Sequence, residues 1–167
     1  MFPVVIATGD DSGENMLDFV ELVDNHTNCN VDPFPIRLSN AVGINGMVCG
    51  GRDYELNVIS SCWYLNPSGK WAVGDDMLDS RMHFSLSNIE DETIAIGGIG
   101  YRTGYWIYDH DYHLSSIEKH SDRKYGGWSW MTDAPITIAK QCVVVINKLV
   151  LFVIGGQQNY QVNSNQH

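Results

Sequence analysis

The chain has 167 residues, 44% of them hydrophobic, which is enough for one globular domain with a sizeable core. Acidic residues number 20 against 10 basic ones, and the resulting net charge of -10 opposes binding to nucleic-acid phosphates or anionic membrane surfaces. No apolar run approaches the roughly 20 residues that span a bilayer, and the opening MFPVVIATGDD lacks the basic start and small-residue cleavage site of a secretory signal, so the chain is expected to be soluble and cytoplasmic.

Taken in order, the predicted elements are almost all strands; no long segment keeps apolar residues at helical spacing. VVIATGDD reads as a strand ending near Gly9. GMVCGGRD ends a second such strand in Gly50 and Gly51, and SSCWYLNPSGKWAV follows as a hairpin, with Tyr64 before an Asn-Pro-Ser-Gly turn and Trp71 after it. The acidic VGDDMLDSR is an ordinary connection. RMHFSLSNIEDETIAIGG is a hairpin closing in Gly97 and Gly98, and KQCVVVINKLVLFVIGG one closing in Gly155 and Gly156. Paired glycines at a strand end point to a fixed turn that other residues cannot adopt. Between the last two, the Tyr position falls at Tyr108 and the Trp position at Trp128 or Trp130. The intervening HLSSIEKHSDRKYGG is expected to be a long exposed loop.

The second glycines recur at Gly9, Gly51, Gly98 and Gly156, spacings of about 40 to 60 residues that suit propeller blades. A basic residue (Arg37, Arg81, Lys140) precedes each complete diglycine, opening the hairpin. Two hairpins per repeat make a four-stranded antiparallel sheet that buries its faces against its neighbours. Cys29, Cys49, Cys62 and Cys142 are scattered without zinc-site spacing; Cys49 and Cys142 are read as small core groups.

An apolar strand ending in a diglycine, then a spaced Tyr and Trp, then a basic residue, resembles the kelch repeat, with the stretch from Gly50 through Tyr64 and Trp71 to Arg81 and Gly98 matching best. The resemblance implies an all-β fold of kelch-type propeller blades. The units would be about 1–51, 52–98 and 99–156 with a further one starting at 157–167, an incomplete propeller of three to four blades. Missing blades or self-association would then close the ring. It implies a non-enzymatic module whose loops bind a protein, as in the substrate-recognition parts of cullin-ring ubiquitin ligase adaptors or in actin-binding relatives.

The residues it assigns to a partner are Arg52, Asp53 and Tyr54; Tyr101 and Arg102; Gln157 and Gln158; and, around the basic positions, Arg37, Arg81 and His83. Arg52 and Arg81 lead, because a guanidinium grips carboxylates in two places; arginines that tie loops to carbonyls are the plainer alternative. No cofactor or metal is expected, and YDHDYH, with Asp109, His110, Asp111 and His113, reads as a solvated turn. A kelch-fold enzyme, copper oxidase or sugar epimerase, and a truncated product remain the alternatives.

Overall fold

Turn chemistry sets the strands of the first complete sheet. In the computed structural model, which describes residues 4–6, 21–23, 32–102, 110–121, 126–146 and 150–158, Asn45 and Gly46 take left-handed backbone angles (φ 49° and 79°). They form the two-residue turn whose twist suits a hairpin, joining β3 (Val42–Ile44) to β4 (Met47–Cys49). The chain returns through β5 (Cys62–Leu65) and β6 (Trp71–Val73), and the antiparallel sheet runs β3-β4-β5-β6. Before it lies a two-stranded pair, β1 (Val4–Ile6) and β2 (Glu21–Val23).

A second four-stranded sheet repeats the plan with β7 (Ser85–Ile89), β8 (Glu92–Ile96), β11 (Ile117–Ser121) and β12 (Gly127–Trp130). An extra hairpin, β9 (Ile99–Arg102) with β10 (His110–His113), is inserted between β8 and β11. The hairpin β13 (Cys142–Ile146) and β14 (Val150–Ile154) begins a third copy. The fold is all-β, and no helix occurs among the described residues. Each full sheet takes its first two strands before a diglycine and its last two after it, so the expected units are permuted relative to the sheets.

The diglycines occupy equivalent corners. Gly50, Gly97 and Gly155 have φ of 62°, 59° and 71°, and Gly51, Gly98 and Gly156 have 96°, 103° and 97°, values open to glycine at no steric cost. The residue after each pair bridges back to the start of its own sheet: Arg52 to Ser39, Ile99 to Met82, Gln157 to Ala139. Just beyond those bridges stand three left-handed residues, Asn40, His83 and Lys140. His83 N donates to the Asn40 carbonyl (3.4 Å) and Lys140 N to the His83 carbonyl (2.8 Å), linking one repeat to the next.

The largest core cluster is built from both full sheets: Met47, Cys49 and Cys62 from one, Leu86, Ala95 and Trp128 from the other, with Met77 and Phe84 from the connection between them. On the opposite face of the first sheet, Phe34 and Leu38 cover Val48 and Trp63, and Phe34 meets Trp63 and Trp71 edge-on at 5.3 and 4.8 Å. Trp71 pairs with Leu65 and Trp128 with His120 at matching places. Each indole N–H donates to a carbonyl of the preceding connection at 3.1 Å, Trp71 to Asp32 and Trp128 to Asp75, so the polar end of each ring is satisfied.

Three expectations change. The stretch 113–127 holds β11, the third strand of the second sheet, and the extra length sits earlier, around β9 and β10. Lys119, facing Ser129 and Ile94, holds the place that Tyr64 holds in the first sheet; Tyr108 lies outside the described residues. Cys49 is no core thiol: it faces Cys62 across β4 and β5 (Cα–Cα 4.1 Å) in a disulfide, and Cys142 is exposed.

Candidate partner-binding loop

Arg81 is the most deeply placed of the residues expected to face a partner, and its burial removes it from that role. Its side chain is fully buried. One guanidinium nitrogen donates to the carbonyls of Gly97 (2.8 Å) and Ser116 (3.3 Å), the other to Ser116 Oγ (3.1 Å) and to Glu118, itself 0% exposed. The Glu118 carboxylate also accepts from the backbone N–H groups of Leu78 (2.6 Å) and Asp79 (2.8 Å). Two buried charges are tolerable only when paired and hydrogen-bonded, and these are both. Arg81 therefore ties the connection 77–81 to β11 and to the second diglycine.

The other expected residues divide by exposure. Arg37 is exposed, while Arg52, Asp53, His83 and Tyr101 are half-buried. Tyr101 packs against Val58, Met82, Ile99 and Ala139, the apolar cluster beneath the residues that follow the diglycines. Gln157 and Gln158 are exposed, and Arg102 pairs with His110 through its backbone. Gln141, in the last basic region, is buried and donates to the Ile96 carbonyl at 2.6 Å. The three basic residues are thus not equivalent, since Arg37 and Lys140 are exposed and Arg81 is a core group.

The loop after the first diglycine is outward as well, exposed from Tyr54 to Asn57. Asp53 Oδ1 accepts from the backbone N–H of Glu55 (2.9 Å) and Asn57 (2.8 Å). Asp53 N donates to Asn57 O (3.0 Å) and Leu56 N to Asp53 O (3.0 Å). The loop 66–70 has the same wiring: Asn66 Oδ1 accepts from Ser68 N (2.9 Å) and Lys70 N (3.0 Å), Asn66 N donates to Lys70 O (2.9 Å) and Gly69 N to Asn66 O (3.0 Å). A short acidic or amide side chain bonding its own backbone two residues on fixes such a turn.

The two loops differ at the fourth position. Gly69 stands there with φ 80° in one, and Leu56 with φ 68° in the other. A γ-branched residue in that region is strained by about 1–2 kcal/mol, and Leu56 recovers little by burial, being 59% exposed. Beside it Tyr54 is 71% exposed, its hydroxyl donating to Glu55 Oε1 at 2.7 Å. That hydrogen bond, then the Glu55 charge, hold the Tyr54 phenol above its usual range. Asn57 Nδ2 reaches Asp53 Oδ2 (3.2 Å) and Glu55 Oε2 (3.4 Å), so the polar side chains are fixed as well. Sequence reading singles out Tyr54 and misses Leu56. Only a comparison of the two loops at the position where Asn-Pro-Ser-Gly carries its glycine exposes it.

Among the described residues no group of three or more His, Cys, Asp or Glu side chains is gathered to hold a metal, and no helix is long and apolar enough to cross a membrane. No protein-family model matches this chain, and no curated protein matches it.

Proposed function

We propose that the chain is a kelch-type, non-enzymatic interaction module that holds a partner protein on the loop 52–58, with Tyr54 and Leu56 as the anchoring side chains. The observation that carries this reading is Leu56, an exposed aliphatic residue kept in a left-handed conformation where the twin loop uses glycine. Strain held on an exposed, hydrogen-bonded loop is a recurring mark of ligand contacts, and aromatic and aliphatic side chains fixed in advance bind at low entropic cost. The stacked antiparallel sheets serve as a rigid frame, in the manner that kelch substrate adaptors and actin-binding relatives present loops to proteins.

With Arg81 buried, the chemistry offered is apolar with a carboxylate, Glu55, at its edge, which fits an apolar pocket rimmed by a basic group better than an acidic ligand. Capture of proteins by the immobilised chain, with Tyr54→Ala and Leu56→Gly variants alongside, tests the proposal. A partner retained by the native chain and lost at least tenfold by both variants supports it; equal recovery on all three surfaces contradicts it. Cosedimentation with filamentous actin tests that partner directly.

A further inference from the structure

We infer that the Cys49–Cys62 disulfide is a redox-controlled clamp on the loop 52–58. Oxidised, it keeps Leu56 in the conformation that binds; reduced by a dithiol, it lets the loop relax and release its partner, a regulation that rests on the reading of Tyr54 and Leu56 as anchors. The two complete corners share one backbone plan. Gly50 N–H donates to the Ser61 carbonyl (2.9 Å) and Ile59 N–H to the Gly51 carbonyl (3.0 Å); at the second corner Gly97 N–H donates to the Ser116 carbonyl (3.1 Å) and Leu114 N–H to the Gly98 carbonyl (2.9 Å). Their side-chain fastenings differ. Arg81 stands one residue before the Met82 bridge to Ile99, and its guanidinium fastens the second corner by donating to the Gly97 and Ser116 carbonyls at 2.8 and 3.3 Å. Leu38 holds the matching place before the Ser39 bridge to Arg52, and a buried aliphatic side chain has no donor to give.

The disulfide takes over that fastening. Cys49 directly precedes the first diglycine and faces Cys62 across β4 and β5, while the matching pair in the second sheet is Ile96 and Ile117. Two apolar residues thus suffice for packing at this register, and the covalent bond adds closure of a ring, residues 49–62, that contains the whole loop. Within that ring Leu56 keeps its φ of 68°, and a strained backbone persists only where its surroundings over-determine it. Asp53 fixes the tip of the loop through the Glu55 and Asn57 amides; the disulfide fixes its neck. Reduction passes two electrons and two protons from a dithiol to the cysteines. One thiolate attacks a cysteine sulfur, the Cys49–Cys62 bond breaks, the second thiol displaces the mixed disulfide, and the reductant leaves as a cyclic disulfide. Both cysteines are 0% exposed, so the exchange runs only while the corner is open. A bound partner that holds the corner shut protects the bond by the same factor by which the bond favours the partner.

The test is NMR of the full chain before and after reduction by dithiothreitol, with the loss of the bond verified by mass, and of the double variant Cys49→Ala with Cys62→Ala. The three-bond HN–Hα coupling of Leu56, with its Hα and Cβ shifts, reports its backbone angle. We expect Leu56 to leave the left-handed region in the reduced chain and in the double variant, and to return to it when the native chain is reoxidised, while the Gly97, Gly98 and Leu114 amides stay in place. Recovery of a partner held by the oxidised chain should fall at least fivefold on reduction. An unmoved Leu56 in the reduced, folded chain would overturn the proposal and leave the Tyr54–Leu56 reading standing. Collapse of both corners together would overturn it too, because the bond would then support the whole fold. If Leu56 relaxes but no form of the chain captures a protein, the Tyr54–Leu56 reading is what fails, and control of capture falls with it.

Discussion

Arg81 and Glu118 lie 37 residues apart in sequence and form an ion pair in which neither side chain is exposed. Removing one member leaves the other as an uncompensated buried charge, which typically costs about 3–5 kcal/mol. Arg81→Met is expected to lower stability by that amount in urea denaturation. Arg81→Met with Glu118→Leu recovers only part of it, because the Leu78 and Asp79 N–H groups lose their acceptor. A double variant as stable as the native chain would show that those amides do not depend on Glu118.

The glycine corners give a paired prediction. Gly97→Ala and Gly155→Ala each put alanine into a left-handed conformation, costing about 1–2 kcal/mol. The first also drives a methyl to 2.3 Å from the Ile138 carbonyl, and the second meets nothing within 4 Å among the described residues. Gly97→Ala should therefore be the more destabilising by a further ~1–3 kcal/mol, the usual penalty of overpacking. Equal losses in thermal or urea unfolding would mean that the two corners have the same surroundings.

Leu56→Gly should do the opposite of most loop substitutions and hold or raise stability, by up to about 1 kcal/mol, because it releases left-handed strain. Loss of partner capture without loss of stability is the signature expected of a residue kept for binding. A clear drop in the unfolding midpoint would show instead that Leu56 supports the fold.

The Tyr54 phenol titrates above its ordinary value because its hydroxyl donates to Glu55. The neutral form is the one favoured in the folded loop. Any stabilisation from the bond is therefore complete below the unfolded phenol pKa and is lost as pH rises through the higher folded value. Glu55→Gln removes the charge and should bring the Tyr54 transition down toward the usual range in an ultraviolet or NMR titration. An unchanged transition would dismiss Glu55 as the cause.

Cys49 and Cys62 close a loop with a sequence separation of 13, for which chain entropy gives about 3 kcal/mol of stabilisation. Urea unfolding with and without dithiothreitol should differ by that order, and peptide mapping without reductant should recover the two cysteines linked. Identical curves would mean that the bond contributes nothing.

Much of this framework was legible in the residues themselves. The diglycines mark strand ends because glycine takes those left-handed backbone angles at no steric cost, and Asn66-Pro67-Ser68-Gly69 marks its turn because each residue type suits its place. What stayed hidden was hidden by pairing across distance. Glu118 and His120 point inward from β11, so the strand reads as a polar loop until Arg81 is seen to neutralise Glu118 and the Tyr64 hydroxyl is found 3.2 Å from His120 Nε2. Arg81 is deceptive for the same reason, since a lone arginine belongs on a surface and a paired one need not. Cys49 and Cys62 come together only through the register of β4 and β5, and Leu56 looks ordinary until its backbone angle is known.

The most direct test is backbone hydrogen exchange at the glycine corners. The account predicts strong protection of Gly51 and Gly98, whose N–H groups are held at 2.8 Å by the Arg81 and Ile138 carbonyls, and rapid exchange at the exposed loop residue Tyr54. Exchange at Gly51 and Gly98 as fast as at Tyr54 would contradict the picture of sheets locked together at glycine corners.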